Sequence, residues 1–353
     1  MRQYWRMRVL FAILIAVGLA FAARGEVAVF AAQPDARRLV IYSTLDTRLV
    51  QPLIAGFQAQ NPGISVRYED LLAAEIARRV VAETDAGQPT ADFVFSSAMD
   101  QQMKLANDGY AQAVRLSTRW PRWANWRDTA FALTFEPAVL VYHRPSFPQG
   151  PPLSRLQLIE WLRQAPAPMR GRIGRERIGT YDIERSAVGY LYLARDAEHF
   201  PDIWTLLRAM AATGLQTFAT SQDIIDRVAD GRLVLGYNIL GSYAADQSRL
   251  HPDLGLVQFS DFTVVVSRVG LVPRAAGAPD LGAAFLNFLA SDAGQTLLAE
   301  RLRLPAVSLG LNDADTAAEL RPVPVSPGLL AYLDQAKRRG MIRKWRAALA
   351  LLE

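Results

Sequence analysis

Cysteine is absent from all 353 residues. This excludes a disulfide scaffold, a thiolate metal site, a cysteine nucleophile and a lipid-anchored N-terminal cysteine. Histidine occurs only at 143, 199 and 251, too few for a His-rich metal site. Lysine is almost missing too, at 104, 337 and 344, so nearly every basic side chain is arginine. No dense Lys/Arg run interleaves with aromatics, which argues against a nucleic-acid partner. The net charge of +5 is modest, and Arg2, Arg6, Arg8 and Arg24 against Glu26 carry +3 of it, leaving about +2 from residue 32 onward. The nucleophile elbow G-x-S-x-G, the phosphate loop G-x-x-x-x-G-K-[ST] and H-E-x-x-H are all lacking. "GRIGRERIG" has loosely spaced glycines without dinucleotide spacing or an opening helix, and reads as a basic loop. An exported hydrolase is therefore the weaker alternative.

The apolar share of 51% suits a globular protein, and the length allows two core-bearing lobes. The opening residues have a basic n-region through Arg8 and an apolar core from Val9 to Ala23. Small residues follow, with candidate cleavage after Ala22 or Ala31, so residues 1–31 read as a secretory signal. An uncleaved anchor is the alternative, although the run is short for a span. Export without disulfides fits the bacterial periplasm.

Beyond the signal, apolar strand patterns alternate with 3.6-period helix patterns, the signature of α/β architecture with parallel strands. Two longer segments differ, "FALTFEPAVLVYHR" and "GLVQFSDFTVVVSRVGLVPRAA". They read as strands crossing between two lobes with a cleft between them. The expected division is 37–135 plus 266–315 for lobe one, 138–262 for lobe two, and 316–353 for C-terminal helices.

Four strand patterns run into a polar cluster and then a helix start. They carry Ser43 and Thr44; Ser96 and Ser97; Tyr181, Arg185 and Ser186; and Asn238, Ser242 and Tyr243. Such residues also serve as plain helix caps. Four clusters converging at strand carboxyl ends would instead make an anion receptor, since helix N-termini offer free N–H groups and partial positive charge. Arg185 adds a guanidinium suited to a carboxylate or phosphate. Thr180 shares its cluster. Glu136 and Asp261, one in each crossing segment, could be paired carboxylates, but a lobe-bridging role is preferred. Trp120, Trp123 and Trp126 are expected to pack rather than stack on ligand. The basic C-terminal helix with Lys337, Arg338, Arg339, Arg343, Lys344 and Arg346 is expected to be a solvated face, with a partner surface as the alternative.

The segment order, with "LVIYSTLD", "ADFVFSSAMD", "TYDIERSAVGYLY", "YNILGSYA" and "AAFLNFLASDAGQ", resembles bacterial extracellular solute-binding proteins of ABC transporters. The nearest branch is the ferric-iron-binding-like group, which includes proteins like the phosphoglycerate transport regulatory protein. The resemblance implies a type II periplasmic-binding fold that closes on a ligand. It also implies a permease or a sensor kinase as partner. Iron binders of that branch use neighbouring tyrosines; here Tyr237 and Tyr243 are separated. The expectation is a monomeric, non-catalytic receptor without cofactor or metal for a phosphorylated or carboxylated metabolite, with a ferric-iron carrier as the alternative.

Overall fold

The computed structural model describes residues 26–164, 177–301, 307 and 320–350. Its first lobe begins with β1 (Glu26–Phe30), β2 (Arg37–Ser43), α1 (Thr47–Gln60), β3 (Ile64–Asp70), α2 (Ala73–Asp85), β4 (Phe93–Ser96) and α3 (Met99–Asn107). β2 lies between β3 and β4 and is parallel to both, as helical crossovers require. β4 is buried at all its positions, the pattern of a strand covered on both faces. α1 turns Val50, Leu53, Ile54 and Phe57 inward at helical spacing. Then come β5 (Asn125–Trp126) and β6 (Ala130–Ala132).

Residues 133–135 carry the chain to the second lobe. There follow β7 (Glu136–His143), α4 (Arg155–Gln164), β8 (Ile178–Tyr181), α5 (Ala187–His199), α6 (Ile203–Gly214), β9 (Leu215–Phe218) and α7 (Ser221–Ala229). β10 (Leu235–Leu240), α8 (Gly241–Gln247), β11 (Leu254–Val257) and β12 (Thr263–Val266) complete this run. Ser267 and Arg268 lead back to β13 (Val269–Leu271), followed by α9 (Pro279–Ala290) and α10 (Asp292–Glu300). The first sheet has the order β1-β3-β2-β4-β13-β6-β5. In the second, β14 (Leu320–Pro322) precedes β12-β7-β10-β8-β9, and β11 pairs with β7 off that path. This is the two-lobed α/β fold that the sequence led us to expect.

Each crossing segment, read as one long strand, is divided in the structure. β6 pairs within the first sheet and β7 within the second, so the chain bends between them. In the bend a side chain replaces a ladder partner: Arg268 N donates to Thr134 Oγ1 at 2.7 Å. The return segment forms three strands, because Arg155 fixes the turn before β12 by donating to Phe262 O at 2.8 Å and Asp261 Oδ1 at 2.9 Å. Asp261 thus belongs to Arg155, not to Glu136.

Of the segment expected to be a signal, residues 1–25 lie outside the described residues, while Glu26–Phe30 form an antiparallel edge strand on β3. Most of the basic loop, 165–176, also lies outside them. The C-terminal segment does more than supply helices. From β14 it passes to lobe one, where Val325 N donates to Trp123 O at 2.8 Å and a 3-10 turn, Pro327–Leu333, packs on α3. It then returns as α11 (Gln335–Leu349), which packs on α6 of lobe two.

Candidate functional site

A cleft of about 570 Å³ lies between the lobes, within the size range of small-molecule sites. It opens where β2, β3 and β4 run into helices on one side and β8 and β9 do so on the other. These are strand carboxyl ends, where open α/β sheets bind ligands.

Arg268 forms its floor. The side chain is 1% exposed yet lines the cavity. Its Nε lies 3.2 Å from Glu136 Oε1, and one terminal nitrogen donates to Thr44 Oγ1 at 3.1 Å. The other has no hydrogen-bond partner among the described residues. Burial alone would favour the neutral guanidine. The Glu136 carboxylate, with Tyr243, Tyr68 and Asp46, outweighs this and raises the pKa above its ordinary value. Glu136, itself fully buried, accepts from Thr134 Oγ1 at 2.9 Å and Ser242 Oγ at 2.7 Å. One residue comes from each crossing, so this ion pair fastens the two crossings together. Glu136 does bridge the lobes, through Arg268.

The lobe-one wall is acidic. Asp46, Asp70 and Asp100 stand at three successive strand-to-helix junctions and line the cleft. Burial, reinforced by Asp46 and Glu26, pushes Asp70 up to about 6. Burial likewise pushes Asp100 up to about 6, against the backbone hydrogen bond from Gln101 N at 2.9 Å. Between these acids lie Thr44 and Ser97, whose backbone N–H donates to Thr44 Oγ1 at 3.2 Å.

The lobe-two wall carries hydroxyls and a cation. Ser186 caps α5 by accepting from Gly189 N at 3.2 Å, and Thr220 caps α7 in the same way from Asp223 N at 3.2 Å. Tyr181 is buried, its hydroxyl 2.5 Å from Ser221 Oγ, and burial raises its pKa to about 12. Arg185 is exposed and enters no ion pair among the described residues, whereas its neighbour Glu184 is held by Arg346 Nε at 2.8 Å. Tyr243 lies beside the Arg268 guanidinium, 5.8 Å from ring centre to Cζ.

Six of the residues proposed from sequence therefore line the cleft: Thr44, Ser97, Tyr181, Arg185, Ser186 and Tyr243. Four do not, and each is spent inside its lobe. Ser43 Oγ donates to Phe95 O at 2.8 Å and accepts from Leu45 N at 3.1 Å. Ser96 Oγ accepts from Ala98 N at 3.2 Å. Asn238 has φ 60°, a left-handed conformation that Asn tolerates, at an irregularity of β10, and donates to Asp196 Oδ2 at 2.6 Å. Ser242 is taken by Glu136. The tryptophans pack on lobe one, Trp120 donating to Ala132 O at 3.0 Å. Sequence reasoning missed Arg268, the three aspartates, and Arg338 of α11, which also lines the cleft and lies 4.4 Å from the Tyr190 ring centre.

The sequence model for bacterial extracellular solute-binding proteins matches residues 39–301. The chain belongs to this family. The substrate-binding protein of an ABC transporter from Agrobacterium tumefaciens is 55% identical, over 92% of this chain and 98% of that one, with a TM-score of 0.85. Two more distant structures share the fold alone. AfuA from Actinobacillus pleuropneumoniae, with fructose-6-phosphate bound, gives TM-score 0.68 at 16% identity over 89% of this chain and 99% of that one. Iron-bound HitA from Pseudomonas aeruginosa gives 0.64 at 17% identity over 88% and 99%. No curated protein matches the sequence.

Proposed function

We propose that this protein is the periplasmic substrate-binding component of an ABC transporter. It takes a small organic solute bearing a phosphate or carboxylate into the cleft, closes on it by a hinge motion and delivers it to a membrane permease. The observation that carries the anionic part is Arg268, buried, charged and lining the cavity with one terminal nitrogen free of protein partners. A guanidinium so fixed favours an oxyanion. Arg185, Ser186, Thr44 and Ser97 supply further donors from the two walls. Transport follows from the 55% identical relative, which is named as the substrate-binding protein of an ABC transporter. Export by the N-terminal signal suits that role.

Iron has less support here. Tyr237 is committed to the interior of lobe two, donating to Asp196 Oδ2 at 2.6 Å, while Tyr243 faces the cleft. Among the described residues no group of three His, Asp or Glu side chains is placed to hold a metal ion.

Native mass spectrometry of the periplasmic protein under gentle and denaturing conditions tests the reading. An organic anion released on denaturation is expected; a released iron ion overturns it. The same spectrum reads the mature N-terminus, since cleavage after Ala22 keeps β1 and cleavage after Ala31 removes it.

A further inference from the structure

The cleft carries charges of both signs, within electrostatic reach of one another but not in direct contact. Asp46, Asp70, Asp100, Arg185 and Arg338 line it, and among the described residues none of them enters an ion pair. Arg268 pairs with Glu136 beneath the floor, not with these acids. The acids sit on lobe one; Arg185 lies across the cleft on lobe two and Arg338 on the C-terminal helix.

The lobe-one wall is also rich in acceptors that meet no side-chain donor: Asp70 accepts from the backbone of Thr47, and Asp100 from backbone alone. Asp100 is 2% exposed, and its carboxylate meets backbone N–H groups alone, those of Gln101 and of Asp100 itself. Beside it the Gln101 side-chain oxygen is buried in the same wall and accepts nothing. Burying acceptors and carboxylates without donors is costly. A protonated amine has three donors and no acceptor, so it complements the Asp100 and Gln101 end of this wall, where a phosphate or carboxylate would meet acceptors. The carboxylates are not gathered tightly enough for a metal ion. An organic cation suits their spacing better.

We infer that the solute is a small zwitterion, with a protonated amine received by Asp70 and Asp100 of lobe one and its anionic group on the arginine side of the cleft. The inference rests on the anion-receptor reading and adds the opposite charge to it. The raised pKa values of the two aspartates fit, because a cation beside them restores their ionised form.

Calorimetric titration of the purified protein with matched probes tests it. One pair is O-phosphoethanolamine against ethyl phosphate, the other 6-aminohexanoate against hexanoate. In at least one pair the amine-bearing member should bind roughly tenfold tighter or more, the scale of one charge-assisted hydrogen bond. Asp70→Asn and Asp100→Asn should each reduce that preference, read as the ratio of the two affinities within a pair. Equal or weaker binding of the amine-bearing members, or a preference that both variants keep, overturns the zwitterion and leaves the anion receptor standing. Binding of none of the four probes by folded protein overturns both.

Discussion

The two walls of the cleft are built on the same plan and carry opposite fields. In each lobe strands run into helices, and the first turns of those helices face the cleft. In lobe one, Asp46 and Asp100 meet the positive helix ends with carboxylates, and Asp70 adds a third. In lobe two, neutral hydroxyls of Ser186 and Thr220 do the capping, and Arg185 is left as an unpaired cation. A strand end leading into a helix therefore marks where a cleft will be. Which charge it welcomes depends on who answers the helix dipole.

The largest test of this contrast is at the floor both walls share. Arg268→Met leaves Glu136 buried without its counter-ion, and should cost about 3–5 kcal/mol in urea unfolding. Adding Glu136→Gln should recover part of that loss but not the binding. The opposite walls are then separated by Arg185→Ala. Because Arg185 is exposed and unpaired, stability should hardly change, whereas solute affinity should fall by roughly 1.5–3 kcal/mol. Unchanged affinity would remove Arg185 from the site.

Asp100 tests the acidic wall in the unliganded protein. Its raised pKa means that the folded state holds the proton more tightly than the unfolded chain does. Stability should thus fall as pH rises from the unfolded value near 4 through about 6, and level off above. Asp100→Asn removes its share of this slope and leaves that of Asp70. It should be more stable than the parent at pH 7 by up to about 3 kcal/mol, the two converging below about pH 4. Denaturation midpoints across that range decide it. The smallest effect separates neighbours: Ser43→Ala should cost about 1 kcal/mol of stability without touching affinity, while Thr44→Ala should weaken binding. Equal behaviour of the two would blur the line between lining and interior.

Much of this was legible in the sequence, because apolar periodicity reports burial directly. The alternation of strands and helices, the two crossings and six of the cleft residues could be read from it. Ser43, Ser96 and Ser242 could not be sorted from Thr44 and Ser97, since a hydroxyl that caps a bend and one that faces a ligand have the same local pattern. The partnership of Glu136 with Arg268 spans 132 positions and no periodicity links them. Its trace was a lone charge inside each apolar crossing, "LTFEPAVLV" and "VVVSRVGLV". The acidic wall was in view as well, in "YSTLD", "RYED" and "SSAMD", where an aspartate closes each strand segment. Only the spatial alignment of these strands distinguishes a wall from three separate caps.

The path of residues 320–350 has a mechanical consequence. The chain leaves the second sheet at Pro322, lies across α3 of the first lobe through Leu333, and comes back to rest on α6. Two lobes joined by a pair of ribbons can swing, twist or slide. Lacing a third length of chain over both removes part of that freedom, because every relative movement must conserve the length of the lacing. Leu333, Gln335 and Arg338 sit where it meets the cleft rim, so the cord that ties the two lobes together also builds part of the wall between them.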